Sequence, residues 1–157
     1  MLLPRIITSI LAIPVVLISI YYGGGVFFCF LLIVLLYMVK EFVYMTKVAG
    51  YETSYFWSFI VSIFIFIAII LEPLQFNKFS LYLTSTIIAV LVFLIFLKEI
   101  IKQKPLGAIG RISIEFFSPM IFSFSLSHLY LLRDIKNYGM KLTYILFFTI
   151  WTTDNAA

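Results

Sequence analysis

The chain has 157 residues, 64% of them hydrophobic and 11% charged, with a formal net charge of +4. Soluble domains average about 45–50% apolar and about 25% charged residues, so the composition excludes a water-soluble core and points to an integral membrane protein. A single cysteine, Cys29, allows no internal disulfide and no thiolate metal cluster. The positive charge is spread too thinly for a nucleic-acid interface.

A bilayer-spanning helix needs roughly 20 mainly apolar residues, and on that measure the chain reads as one membrane domain, 1–157, with about six transmembrane helices. The first covers 3–22 with Pro14 in mid-span. Its apolar run from Ile6 to Tyr22 is longer than the apolar region of a cleaved signal peptide, and no A-x-A site follows, so it is read as a retained span. Gly23, Gly24 and Gly25 supply a tight turn, since glycine reaches positive φ without steric cost; neither a preceding strand nor a following Lys-Ser/Thr suggests a phosphate loop. The second span is 26–44, with Lys40 and Glu41 near its end, and the third is 55–71, closed by Glu72 and Pro73. A short polar loop, 75–78, leads to the fourth, 79–97. Residues 98–115 form the longest polar connection, expected to be partly amphipathic and broken by Pro105 and Gly107. The fifth span is 116–132, and the sixth starts near Gly139. The 18 Phe and 10 Tyr are read as lipid-facing filler rather than a ligand box.

Cation placement sets the expected orientation. With the N-terminus in the cytoplasm, Arg5, Lys40, Lys47, Lys98, Lys102, Lys104 and Arg111 lie inside, against Lys78, Arg133, Lys136 and Lys141 outside. On this reading Asp154 emerges on the cytoplasmic side.

Several polar residues invite a functional role. His128 lies among Ser123, Ser125 and Ser127; with no second ligand three or four residues away, interhelical hydrogen bonding is the expectation. Lys40 and Glu41 read as interfacial residues. Arg133 and Asp134 read as a structural ion pair or an interfacial anchor. The cations of 98–111 either attract an anionic lipid or form an ordinary positive-inside loop. The carboxylates Glu41, Glu52, Glu99, Glu115 and Asp154 carry no motif that would bring them together. The sixth span reaches Thr153 after only 15 residues, so Asp154 is either a solvated residue ending a short helix or a carboxylate held in an incomplete one.

Three stretches share a resemblance. PRIITSILAIPVVLISIYYGG sets a basic residue before an apolar helix holding Ile-Pro, KEFVYM places Glu beside an aromatic after the second span, and LYLLRDIKNYGMKLTYILFFTIWTTDNAA runs from Leu-Arg through Gly to a helix ending Trp-x-x-Asp. In order and spacing they resemble the N-terminal half of bacterial phosphatidate cytidylyltransferases, also called CDP-diglyceride synthases. The resemblance implies transfer of a cytidylyl group from CTP to phosphatidate, giving CDP-diacylglycerol and diphosphate in phospholipid biosynthesis. It also implies Mg²⁺ as cofactor, with Asp154 as the candidate metal ligand, and a multi-pass location in the cell (inner) membrane. The family's signature S-x-x-K-R…K-D…H-G-G-x-x-D-R is absent from these 157 residues, which leaves catalytic and substrate-binding residues unassigned. The expectation is therefore a truncated form, inactive alone and completed by a missing C-terminal half. The alternatives are a non-catalytic membrane subunit or scaffold and a small transporter.

Overall fold

The computed structural model describes residues 3–72 and 78–156, and their side chains apart from those of 3–11, 78–81, 83, 155 and 156. The described residues form six helices and no strand: α1 (Leu3–Tyr22), α2 (Gly24–Val48), α3 (Tyr55–Leu71), α4 (Lys78–Lys102), α5 (Ala108–Asp134) and α6 (Gly139–Ala156). Two of the turn positions expected from sequence, Pro73 and Gln75, fall outside the described residues.

The six helices follow the six apolar segments expected from the sequence. Among the described residues three helices are long and apolar enough to cross a membrane: α2, the 84–102 part of α4, and α5. At 1.5 Å per residue the 25-residue α2 reaches about 38 Å, whereas the 17-residue α3 reaches only about 26 Å. α6 starts where the sequence places it, at Gly139, and has 18 residues in its described part. The largest boundary shifts are in α4, which runs on to Lys102, and α5, which begins at Ala108 rather than 116. Charged residues alone would end both helices earlier, but the charges pair with one another and the helices continue. The polar connection shrinks to 103–107, where Gln103 (φ 50°) and Gly107 (φ 74°) break the helix around Pro105.

The chain divides into two compact units. One comprises residues 1–31 and 129–157. Here α1 ends on Gly23, whose φ of 61° lies in the left-handed region. A helix end leaves its last carbonyls without donors, and Arg133 supplies them: its Nε donates to the Ile20 carbonyl (2.6 Å) and its Nη2 to that of Tyr21 (3.2 Å). A Cβ on Gly23 would lie 2.6 Å from that Nη2, so a side chain there would displace the guanidinium, and the φ of 61° itself favours glycine. Gly139 allows α6 to leave the end of α5, because a Cβ there would collide with the Leu132 and Arg133 carbonyls. α6 then packs on α1, where the Tyr144 hydroxyl donates to the Leu17 carbonyl (3.1 Å). Arg133 thus acts as a helix cap; among the described residues it forms no ion pair with Asp134. Arg133→Ala is expected to lower stability by about 2 kcal/mol, the loss of charged hydrogen bonds to carbonyls, readable as a drop in the thermal midpoint in detergent.

The other unit, 32–128, holds the rest of α2, α3, α4 and most of α5. Leu35, Val39, Val43 and Thr46 recur every three or four residues along α2 and are buried, while Ile33, Tyr37, Met38, Tyr44 and Met45 are exposed on its other faces. α3 is buried on most sides. Three hydrogen bonds join it to α5: Ser54 N–H to the Glu115 carboxylate, Ser123 hydroxyl to the Ser62 carbonyl (2.8 Å), and Ser127 hydroxyl to the Phe66 carbonyl (3.3 Å). All three link residues 61 apart in sequence. A constant offset can be kept only by helices running parallel, so α3 and α5 begin at the same end. Small serines let these helices approach, and their hydroxyls find acceptors across the interface as expected. His128 departs from that expectation: it is exposed, and its Nδ1 contacts the Phe124 carbonyl of its own helix (2.8 Å).

Candidate functional site

The beginnings of α3 and α5 and the end of α4 meet in a network of charges. Arg111 stands one turn into α5 with Glu115 four residues on, so both project from one face. The Arg111 guanidinium gathers the 103–107 turn around itself. Nη1 donates to the Leu106 carbonyl (2.8 Å), Nη2 to the Lys104 carbonyl (2.5 Å), and Nε and Nη2 both reach Glu99 Oε2 (3.0 and 2.8 Å). Arg111 and Glu99 are 5% and 6% exposed.

Glu115, with no exposed surface, accepts from Lys98 Nζ and from the Ser54 N–H (2.7 Å). Lys98 Nζ also lies 3.7 Å from Glu99 Oε1, an oxygen with no hydrogen-bond donor of its own. The chain of contacts Arg111–Glu99–Lys98–Glu115–Ser54 therefore ties three helices together. Burying ions is costly unless each is matched, and here every buried charge has an opposite neighbour. The expectation that no feature gathers Glu52, Glu99 and Glu115 is thus corrected. The signal was present in the i, i+4 pairs Arg111/Glu115 and Lys98/Lys102 on either side of the Pro105–Gly107 break. It is legible only once both helices are carried through their charges.

Outside this buried layer, Glu52 is shared by Lys102 (3.3 Å) and Lys104 (3.2 Å). The hydrogen bond from Lys104, then that from Lys102, holds the Glu52 carboxyl below the usual carboxylate range. Its charge is therefore retained as the pH falls past the value of a free glutamate. Lys47 lies with its ammonium 3.8 Å from the centre of the Tyr55 ring, a cation–π contact. An open cleft of about 720 Å³ runs between the 50–54 loop, the first turn of α3 and the end of α4, with Lys47, Lys98 and Lys102 on its walls. Counted together, five cations (Lys47, Lys98, Lys102, Lys104, Arg111) face three carboxylates (Glu52, Glu99, Glu115), a surplus of two positive charges.

The carboxylate singled out from sequence stands elsewhere. Asp154 is exposed on the last turn of α6, in the other unit, and has no ion pair among the described residues. The preceding hydroxyls turn inward to their own helix, Thr152 to the Phe148 carbonyl (2.9 Å) and Thr153 to the Ile150 carbonyl (2.7 Å). Trp151 packs its ring against Phe147 and Phe148. No group of three or more His, Cys, Asp or Glu side chains able to hold a metal occurs among the described residues. Lys40 and Glu41 are both exposed.

Fold and site together define an all-helical protein with membrane-length helices and a cationic cleft at one end of a helix group. The description "Cytidylyltransferase family" fits a model that matches residues 3–157, and the chain belongs to that family. Its general chemistry is nucleotidyl transfer. No curated protein and no solved structure matches the chain.

Proposed function

We propose that the chain is the N-terminal part of a phosphatidate cytidylyltransferase of the cell membrane, with its N-terminus in the cytoplasm and 1–157 acting as one membrane domain. The observation that carries this reading is the family match, which runs through all six helices. In the reaction a phosphate oxygen of phosphatidate attacks the α-phosphorus of CTP. The new P–O bond forms as the bond to the β-phosphate breaks, and diphosphate leaves. Such transfers depend on positioning and on neutralising phosphate charge. A surplus of cations beside membrane-length helices suits both the nucleotide and the anionic lipid.

Mg²⁺ is the cofactor the reading calls for, and it commonly takes one or two carboxylates together with substrate phosphates. Asp154 would give one hard oxygen ligand. When bound, the ion would offset charge on the phosphate oxygens. One exposed carboxylate is not a metal centre; on this reading the further acidic groups come from the C-terminal half. The same isolation of Asp154 favours the runner-up, a non-catalytic membrane subunit.

Complementation separates the two. The 157-residue chain alone, given radiolabelled CTP, phosphatidate micelles and Mg²⁺, is expected to form no CDP-diacylglycerol. Co-expressed with the C-terminal half of a full-length family member, it is expected to do so, because helices inserted separately can associate in lipid. Absence of product in the co-expressed, co-purifying pair would leave the subunit reading standing.

A further inference from the structure

We propose that the cleft walled by Lys47, Lys98 and Lys102 binds the phosphomonoester headgroup of a membrane lipid; as a deepening of the proposed function, it makes this cleft the point where the lipid substrate is captured. Charge is the first argument. Lys98 is matched by Glu115, and Glu52 alone serves both Lys102 and Lys104. Lys47 has an aromatic ring but no carboxylate among the described ion pairs. The surplus of two positive charges therefore belongs to the open side of the network. A phosphomonoester carries about −1.5 to −2 at neutral pH, which matches that surplus; a phosphodiester carries only one charge.

The second argument concerns what carries the phosphate. Phe56 on the cleft wall is 67% exposed, and the neighbouring Val48 and Ile101 are 73% and 79% exposed. Such apolar surface beside a cationic cleft suits acyl chains better than a free ion in water. The volume is within the range of small-molecule sites.

The test uses the full 157-residue chain in neutral detergent, without CTP, titrated with phosphatidate, with phosphatidylglycerol of the same acyl chains, or with inorganic phosphate. Bound lipid is counted by native mass spectrometry. Phosphatidate is expected to bind one per chain and more tightly than phosphatidylglycerol, with inorganic phosphate a weak competitor. A cation near an anionic headgroup contributes about 1 kcal/mol, roughly a five-fold change in affinity. Lys47→Gln and Lys102→Gln should therefore each weaken binding about five-fold, and exposed Lys141→Gln should not. Glu52→Gln frees Lys102 and Lys104 from a competing carboxylate and should strengthen binding by a similar factor, a gain that a merely structural role would not produce. Equal binding of the two lipids, insensitivity to all three cleft variants, or displacement by inorganic phosphate at lipid concentrations would each overturn the proposal. Because CTP is absent, failure of this site is separate from failure of the reaction. If the complemented pair makes product while the cleft variants bind like wild type, only the capture site is wrong.

Discussion

Glu115→Ala is expected to destabilise the protein by about 3–5 kcal/mol, the cost of removing one partner from a buried ion pair. Glu115 has no exposed surface and accepts both Lys98 Nζ and the N–H of Ser54. Truncation leaves the Lys98 ammonium, 17% exposed, with only Glu99 at 3.7 Å, and it orphans the donor that fixes the start of α3. For a chain of this size the thermal midpoint in detergent should fall by roughly 10 °C or more. Glu115→Gln keeps an acceptor for Ser54 and should fall between wild type and Ala. The decisive variant is the double change Lys98→Met with Glu115→Leu. Replacing a buried pair by apolar groups of similar size is often close to neutral, so the double variant should be more stable than Glu115→Ala despite carrying more substitutions. Additive losses in the two single changes would show that the residues act independently and that no coupled network exists. Glu52→Gln, at the exposed rim, serves as the control and should leave the midpoint unchanged.

That network also marks where sequence reading reached its limit. Apolar runs place every helix, because a segment that must meet lipid advertises itself by composition alone. Gly139 and Arg133 could be singled out, but not their partnership with the end of α1, since a cap joining residues 113 apart has no local signature. Charge, read residue by residue, ends a span. Read that way, Lys98, Glu99, Arg111 and Glu115 fall in a connection, although pairing allows all four to sit inside helices. His128 misled in the opposite direction: a lone polar side chain in an apolar run suggests a partner helix, yet its own backbone satisfies it. The serines were legible because hydroxyls spaced along one face have few uses in lipid besides contact with a neighbour. The cleft was legible only as a list of cations without a place.

In the complemented enzyme, Asp154→Asn is expected to reduce CDP-diacylglycerol formation by a hundred-fold or more. The argument begins with the helix. Asp154 is exposed on the described part of α6, and no cationic partner for it is found among the described residues. Stability therefore gives no reason for the carboxylate, and removing it should leave folding intact. Asn keeps the size and one oxygen but loses the negative charge, which is what a hard divalent ion requires of a ligand. Groups that act as one catalytic unit fail together, so loss of a single ligand should remove most of the rate rather than a share of it. Two readouts keep the explanation specific. The thermal midpoint of the variant should equal that of the wild type, and residual activity should rise with Mg²⁺ concentration far above the level that saturates the wild-type pair. Full activity in Asp154→Asn at wild-type Mg²⁺ would remove Asp154 from the metal site. A large drop in the midpoint would instead make it a structural residue of α6.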